Sequence, residues 1–261
     1  MPKVLEFHNV SVVRNGRAIL DRLTWSVDES ERWVILGPNG AGKSTLLQLA
    51  AAGMHPTTGT IDVLGERLGR VNVFELRTRI GLAATSLARR IPPYETVGDA
   101  IVTAAYAVTG RWREEYESVD IERAAEVMDA WDLGPLAKRT FGTLSDGERK
   151  RVQVARAVMT DPELMLLDEP AGSLDLGARE DLLVSLTEYA QSELAPAIVM
   201  VTHHVEEIPP GFTHALLLAE GRGVAAGPLD EILTDEKLTS TFGRPLQITK
   251  TGERFTARAK D

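Results

Sequence analysis

Residues 37–45, G-P-N-G-A-G-K-S-T, match the phosphate-binding loop pattern G-x-x-x-x-G-K-[S/T]. Glycines in such a loop let backbone N–H groups wrap around phosphate oxygens, and the helix that follows adds a favourable dipole. The pattern places Lys43 on the β- and γ-phosphates, Ser44 on Mg²⁺ and Thr45 on the α-phosphate. We therefore predict that the chain binds ATP or GTP. The predicted contacts from this loop are Gly37, Asn39, Gly40, Ala41, Gly42, Lys43, Ser44 and Thr45.

An acidic pair follows an apolar run at residues 164–167. Asp168 stands where a buried strand would open into solvent, which suits a carboxylate that holds Mg²⁺ through its water shell. Glu169, one residue further on, is suited to polarise an attacking water. The alternative is a helix or loop that merely ends in two exposed acids, and the continuous apolar run before them argues against it.

The segment 144–148, L-S-D-G-E, begins a basic helical run. Ser145 and Glu148 have the spacing of a capping box, which alone would explain both residues. Their place in the order of motifs along the chain indicates a function beyond capping. The phosphate loop, a helical insertion, this helix start and the acidic pair are followed by S-L-D at 173–175 and by His203 after an apolar strand.

That order resembles the ATP-binding cassette pattern, and the chain is similar to the nucleotide-binding subunit of ABC transporters over essentially its whole length. By this resemblance the Walker A loop is 37–45, the signature motif 144–148, the Walker B strand 164–169, the D-loop 173–175 and the switch histidine His203. The resemblance implies an ATPase with Mg²⁺ as cofactor. It also implies one nucleotide-binding domain, residues 1–261, with an α/β P-loop core, an amino-terminal antiparallel β subdomain and a helical subdomain.

The resemblance further implies a head-to-tail homodimer. ATP on one subunit's phosphate loop would be closed over by the partner's signature motif, chiefly Ser145 and Gly147. A second helix N-terminus would then face the γ-phosphate, so closure would depend on ATP rather than ADP. In the same picture Asp175 would signal between the two sites. His203 would orient the γ-phosphate and the attacking water, with His204 as the weaker candidate.

Two departures from the cassette pattern affect nucleotide contacts. Arg14 stands where most cassettes have an aromatic residue that stacks on adenine. A planar guanidinium can also stack on a base, and the alternative is an exposed hairpin arginine. Asp146 and Glu148 replace the usual Gly and Gln of the signature motif. They would place acids near the partner's triphosphate, with Glu148 among the predicted contacts to it, and we expect weaker or more tightly gated closure.

A third departure follows the apolar run at residues 80–84. Transporter cassettes carry a glutamine there that touches Mg²⁺ or water and links the ATP site to the membrane subunit, whereas this chain has Thr85. A hydroxyl cannot span as far as an amide. Thr85 is thus an additional candidate at the metal, and the alternative is an alignment shifted across an irregular loop. Residues 202–210 look like those of molybdenum-transport or uncharacterised cytosolic ABC ATPases.

Two functions remain open from the sequence. The leading prediction is an ATPase subunit that powers a separate membrane permease, and the alternative is a soluble cassette dimer that acts on a cytosolic, non-transport partner. A small-molecule kinase with the same loop does not require the helix start at Ser145 before the Walker B strand. The chain contains no Asn-Lys-x-Asp motif, which argues against guanine recognition.

The elements that must position these residues can be predicted from residue patterns. Residues 4–13 and 19–27 have the composition of two strands joined by an Asn15-Gly16 turn. Residues 59–63 are predicted to be a strand that adds to an α/β core. The later core elements are a strand at 164–167, a helix at about 178–190 and a strand at 197–201.

Residues 86–143 are predicted to form the helical subdomain. Thr96 and Asp99 can cap one helix. The spacing of five apolar residues predicts the buried face of another. They are Ile121, Ala124, Ala125, Met128 and Trp131.

Composition limits the partners and the compartment. A net charge of −9 disfavours nonspecific binding to nucleic acid, so no nucleic-acid partner is expected. The 261 residues include no cysteine, which fits a reducing compartment. The sequence has no apolar run of about 18 residues and no signal-peptide core at its start. We expect a cytoplasmic protein, peripheral on the inner face of the cell membrane if it serves a permease.

Overall fold

The structure, a computed structural model, describes residues 2–106, 108–110 and 116–260. The strands are β1 (Lys3–Arg14), β2 (Arg17–Asp28), β3 (Arg32–Leu36), β4 (Thr58–Val63), β5 (Glu66–Arg67), β6 (Ile80–Ala83), β7 (Leu164–Asp168), β8 (Ala197–Val201), β9 (His214–Ala219), β10 (Arg222–Pro228), β11 (Leu246–Thr251) and β12 (Arg254–Ala259). The α-helices are α1 (Lys43–Ala50), α2 (Val73–Thr78), α3 (Thr85–Ala88), α4 (Val97–Val102), α5 (Ser118–Ala130), α6 (Asp146–Met159), α7 (Leu176–Gln191), α8 (Leu229–Ile232) and α9 (Asp235–Phe242). Within the described ranges, no helix combines the length and the apolar character needed to cross a bilayer.

Two large sheets form the core. One is antiparallel with the order β2-β1-β4-β5, and the other has the order β10-β9-β3-β8-β7-β6. In the second sheet β9, β3, β8, β7 and β6 run parallel to one another, and β10 runs antiparallel to β9. Strands such as β3 and β8 are buried on both faces, which explains their uninterrupted apolar sequences. This α/β arrangement confirms the predicted fold class.

The predicted amino-terminal hairpin is confirmed. Asn15 and Gly16 have φ values of 51° and 75°, which both central positions of a type I′ turn require. The hairpin buries Phe7 and Trp25, whose ring centroids lie 5.7 Å apart. Residues 59–63 do form a strand, but it pairs antiparallel with β1 instead of joining the parallel sheet. The placement in the α/β core was therefore wrong, because strand residues alone do not specify a partner.

Four strand ends bring the predicted site residues to one edge of the parallel sheet. Carboxyl ends of parallel strands meet at the same edge, where ligands bind in open α/β sheets. The phosphate loop, residues 37–45, follows β3, Asp168 ends β7 and His203 lies beyond β8. Thr85 follows β6, in which Ala83 pairs with Leu167 of β7. Register thus places Thr85 at the same edge as the acidic pair.

The described residues between 85 and 143 contain helical segments and no strand beyond one isolated bridge. The predicted cap of α4 is confirmed, since the Asp99 backbone N–H donates to Thr96 Oγ1 over 3.1 Å. The predicted face of α5 was partly wrong, because Ile121 is exposed and Val127 is buried. Two overlapping apolar stripes exist on this helix, and packing against α4 and α6 decides which of them is covered. The buried residues are Ala124, Val127 and Trp131, with Ala125 exposed and Met128 partly buried.

Candidate ATP-binding and hydrolysis site

The phosphate loop needs glycine at two positions where it packs against neighbouring strands. A Cβ atom on Gly37 would lie 2.0 Å from the carbonyl oxygen of Leu218 in β9. Gly42 has φ of 102°, and its Cβ would lie 2.7 Å from the carbonyl oxygen of Ile19 in β2. Helix α1 begins directly after Gly42, so its first-turn N–H groups point toward the loop. The backbone is thus arranged to receive an anion.

Lys43 is the charged group of this loop and is only 6% exposed. Its Nζ donates to the carbonyl oxygens of Gly37, over 2.6 Å, and of Pro38, over 3.0 Å. An ammonium has three protons, so one remains for a phosphate oxygen. Burial lowers the pKa of Lys43, while the charges of Glu169 and then Asp168 oppose that shift. The side chain is therefore held in place at the mouth of the loop.

Ser44 and Asp168 form a set of ligands that suits Mg²⁺. Ser44 Oγ donates to Asp168 Oδ1 over 3.5 Å. Burial raises the pKa of Asp168, and the neighbouring Glu169 raises it further, so a cation at this point would stabilise the carboxylate. Hydroxyl and carboxylate oxygens are ligands that Mg²⁺ prefers. Ser44 and Asp168 would hold the ion, which when bound would neutralise charge on the β- and γ-phosphates.

Glu169 and His203 lie against each other, although 34 positions separate them in the chain. The distance from His203 Nδ1 to Glu169 Oε1 is 3.2 Å. Roughly a third of each side chain is exposed, so both can reach solvent and a nucleotide. The ring of His204 lies beside His203 with 4.3 Å between centroids, and the bond to Glu169 comes from His203. This arrangement suits a carboxylate that takes a proton from water and an imidazole that orients the phosphate.

The signature segment forms the capping box that its spacing predicted. Glu148 N–H donates to Ser145 Oγ over 3.2 Å, and Ser145 N–H donates to Glu148 Oε2 over 2.7 Å. Arg139 Nη1 donates to the other carboxylate oxygen of Glu148 over 2.9 Å. The bond from Ser145 N–H is also the main reason why the pKa of Glu148 is lowered. Both oxygens of Glu148 are thus engaged within the subunit, and its contact with a partner's triphosphate stays a prediction.

The start of α6 lies beside the start of α7. A Cβ on Gly147 would lie 3.0 Å from the Cβ of Ala178, so glycine permits this close approach. Asp175 caps α7 through a 2.9 Å bond from Ala178 N–H to its Oδ1. Capping gives Asp175 a local role, and its role in signalling between sites stays a prediction.

Arg14 and Thr85 are the two predicted site residues at which the chain departs from the cassette pattern outside the signature motif. Arg14 lies at the end of β1, and its Nη2 is 3.8 Å from the sulfur of Met54, beyond the end of α1. Stacking of this guanidinium on adenine stays a prediction. Thr85 is exposed in the first turn of the short helix α3.

Residue patterns did not reveal one contact at this site. Lys150, in the second turn of α6, donates from Nζ to the carbonyl oxygen of Glu169 over 2.8 Å. The bond joins residues 19 positions apart on different elements. A lysine in a basic helical run carries no local signal for such a contact.

The family is decided by sequence comparison. Residues 20–172, more than half of the chain, match the sequence model of the family described as ABC transporter. The chain belongs to the ABC transporter family. Its resemblance to the ATP-binding cassette pattern is thereby confirmed.

Individual proteins that are similar to this chain are also ABC transporter proteins. An uncharacterised ABC transporter ATP-binding protein of Bacillus subtilis is 41% identical over 261 residues, covering 98% of both chains. A hemin import ATP-binding protein of Rhodococcus jostii is 33% identical, covering 94% of this chain and 81% of that protein. A solved inward-facing ABC transporter, described as a metal-chelate type, is 28% identical with a TM-score of 0.78, covering 99% of this chain and 96% of that chain.

The chain is therefore an ABC transporter ATP-binding subunit and an ATPase. The likeness of residues 202–210 to molybdenum-transport ATPases is not supported, since the two relatives above with a stated cargo are named for hemin and a metal chelate. A short stretch at the carboxyl end of β8 serves the common hydrolysis chemistry, so it is a weak indicator of cargo.

Replacing Thr85 by glutamine is expected to change the basal ATPase rate severalfold. Register places Thr85 at the edge that carries Asp168, and a longer amide can reach a water at the γ-phosphate that a hydroxyl cannot. Steady-state ATPase at saturating Mg-ATP measures the effect, with Ser86→Gln in the same exposed turn as the matched control. Equal rates for Thr85→Gln and the unaltered protein would show that Thr85 lies outside the site.

Proposed function

We propose that two copies of this ABC transporter subunit close head to tail over ATP and thereby drive a separate membrane permease that imports a metal chelate. The observation that carries the proposal is the meeting of the hydrolytic groups at one sheet edge. The groups are Lys43, Ser44, Asp168, Glu169 and His203. They can bind a triphosphate with its metal and activate water, which is the chemistry that powers transport.

The sandwich dimer is supported by two adjacent helix starts. Ser145, at the start of α6, is exposed, and Gly147 lets this end approach the start of α7. Two N-termini side by side present backbone N–H groups and the positive ends of two helix dipoles. Such a surface would bind the γ-phosphate of ATP held by a second copy. ADP lacks that phosphate, so hydrolysis would reopen the dimer.

A basic cavity supports a docking site for the permease. A cavity of about 750 Å³ lies between the helical segment, the end of α1 and the start of β6. None of the described residues that line it is acidic, although the chain as a whole carries a net charge of −9. The four basic residues are Arg14, Arg77, Arg90 and Arg156. Charge complementarity favours a permease segment that carries carboxylates.

Two of the four arginines that line the basic cavity have a buried Nε atom. Arg156 is 5% exposed and binds Thr103 Oγ1 over 2.9 Å and the carbonyl oxygen of Val108 over 2.8 Å, yet its Nε has no hydrogen-bond partner among the described residues. The Nε of Arg77 is likewise buried without a partner in the part of the chain that the structure describes. Because neither Nε is exposed, the groups able to meet an entering carboxylate are the exposed side chains of Arg14 and Arg90.

The proposed cargo rests on the named relatives. A hemin importer subunit from Rhodococcus jostii and a metal-chelate type transporter both align with nearly the whole chain. Cargo selectivity would lie in the permease, because the ATPase site recognises only nucleotide. The test is to purify the tagged chain from native membranes, identify the bound permease and reconstitute the pair. Mg-ATPase should rise when hemin or a ferric chelate is supplied for import, whereas recovery without any membrane chain would favour the cytosolic, non-transport alternative.

Replacing Arg90 by glutamate is expected to remove the stimulation of ATPase by the permease. Arg90 is exposed at the rim of the basic cavity, and reversing its charge would repel an acidic segment. The basal ATPase of the isolated subunit should be unchanged. Arg244→Glu, an equal charge reversal at an exposed site outside the cavity, is the control. Full stimulation of the Arg90→Glu protein would contradict docking at this cavity.

A further inference from the structure

Lys150 connects the signature helix to the catalytic edge of the same subunit. It lies in the second turn of α6, the helix that begins after Ser145, and its side chain is partly buried. Its Nζ donates to the backbone carbonyl oxygen of Glu169 over 2.8 Å. Arg149, the preceding residue, instead binds carbonyl oxygens of Phe141 and Gly142 in the helical segment. Lys150 therefore reaches a different part of the molecule from its neighbour.

The peptide that Lys150 holds has an unfavourable conformation. Glu169 has φ of 48°, in the left-handed region that is unfavourable for a residue with a Cβ. Its N–H donates to the carbonyl oxygen of Val201 in β8 over 2.9 Å. Its carbonyl oxygen accepts from Gly172 N–H over 3.2 Å as well as from Lys150. Strained residues persist where their surroundings hold them, and such residues cluster at functional sites.

The charges around Lys150 favour its protonated form at this position. Burial lowers the pKa of Lys150, while Asp168, Glu169 and Glu207 oppose that shift. Glu207 is 4% exposed and accepts a hydrogen bond from Thr202, the residue before the switch histidine. The ammonium thus lies among carboxylates from both segments that line the hydrolytic edge.

We propose that Lys150 is a positioning residue for ATP hydrolysis, holding the left-handed peptide of Glu169 so that its carboxylate faces the attacking water. This inference rests on the proposed role of Glu169 as the general base. Lys150 bonds to the backbone of Glu169, so it acts through that residue. The left-handed peptide fixes the direction of the Glu169 side chain, whose Oε1 lies 3.2 Å from His203 Nδ1.

Replacing Lys150 by methionine, which keeps the stem and removes the ammonium, should lower kcat about 10- to 100-fold, the effect of misplacing a catalytic group by about 1 Å. The KM for ATP and the Kd for Mg-ATP by calorimetry should change by no more than about twofold, because the phosphate loop is untouched. Lys150→Met combined with Glu169→Gln should have the kcat of Glu169→Gln alone. A residue that acts only through Glu169 has nothing left to position once that carboxylate is lost.

Lys237→Met is the matched control. Lys237 Nζ also donates to a backbone carbonyl oxygen, that of Glu231, over 2.6 Å, and it lies on α9. Its kcat should be unchanged. If thermal unfolding shows that Lys150→Met folds poorly, Lys150→Gln replaces it. Its amide is too short to reach the carbonyl oxygen of Glu169, so the same fall in kcat is expected. An unchanged kcat, a parallel loss of ATP affinity, or additive effects in the double variant would overturn the proposal. High turnover of Glu169→Gln would instead overturn the general-base role and hence the proposed catalysis.

Discussion

Replacing Glu169 by glutamine is expected to lower ATP turnover by about 10²- to 10⁴-fold, the usual contribution of a general base. Glutamine has the same shape but cannot accept the proton from the attacking water. The phosphate loop and the Ser44–Asp168 pair are untouched, so the affinity for Mg-ATP should be retained. Because dimer closure precedes hydrolysis in the proposed cycle, the variant should accumulate as a dimer that forms only with ATP.

Light scattering with ATP, with ADP and without nucleotide measures this dimer. Adding Ser145→Arg to Glu169→Gln should return the protein to a monomer, because a bulky cation would replace the small hydroxyl at the exposed start of α6. Arg244→Glu in the Glu169→Gln background controls for a nonspecific effect of surface charge on association. A dimer that ignores both ATP and the Ser145 change would contradict the head-to-tail sandwich.

Replacing Lys43 by alanine is expected to weaken Mg-ATP binding by at least about 100-fold, close to 3 kcal/mol of charge-assisted hydrogen bonding. Lys43 is the charged side chain of the phosphate loop, and it is buried at the point where the phosphates would lie. Titration calorimetry with Mg-ATP measures the loss. Turnover should fall with binding, unlike in Glu169→Gln.

Folding must be checked in parallel, since removing Lys43 takes one donor from each of the carbonyl oxygens of Gly37 and Pro38, of which Pro38 keeps the Ala41 N–H. Lys43→Met retains the apolar stem and removes only the ammonium, so it separates loss of charge from loss of packing. Thermal unfolding should show both variants folded at the assay temperature. Undiminished ATP affinity in a folded variant would show that the loop does not bind the triphosphate through this lysine.

Local patterns predicted several features correctly. The turn at Asn15-Gly16, the caps at Thr96 and Ser145 and the buried strand at 197–201 were all visible in residue types at short spacing. These features depend on conformational preferences and hydrogen bonds among residues a few positions apart, which a sequence records directly. The order of the motifs also predicted the family, which the match at residues 20–172 confirmed.

Tertiary structure decided the contacts between distant segments. The bond from Lys150 to Glu169 and the contact between His203 and Glu169 require β7, β8 and α6 to be packed together. Packing likewise brings Arg139 close enough to donate a hydrogen bond to Glu148. Packing also determines that Val127 lies on the buried face of α5. In each case several residues have similar local preferences, and the packing of neighbouring elements decides which of them make the contact.

The sequence by itself thus determined which nucleotide chemistry this chain carries, because a phosphate loop works through consecutive residues on one turn and one helix start. Only the tertiary structure decided how the carboxylate of Glu169 is aimed. Its direction depends on a left-handed peptide held by Val201, Gly172 and Lys150, from a neighbouring strand, the following turn and a separate helix. Hydrogen bonds across elements have no fixed sequence spacing, so residue patterns do not record them.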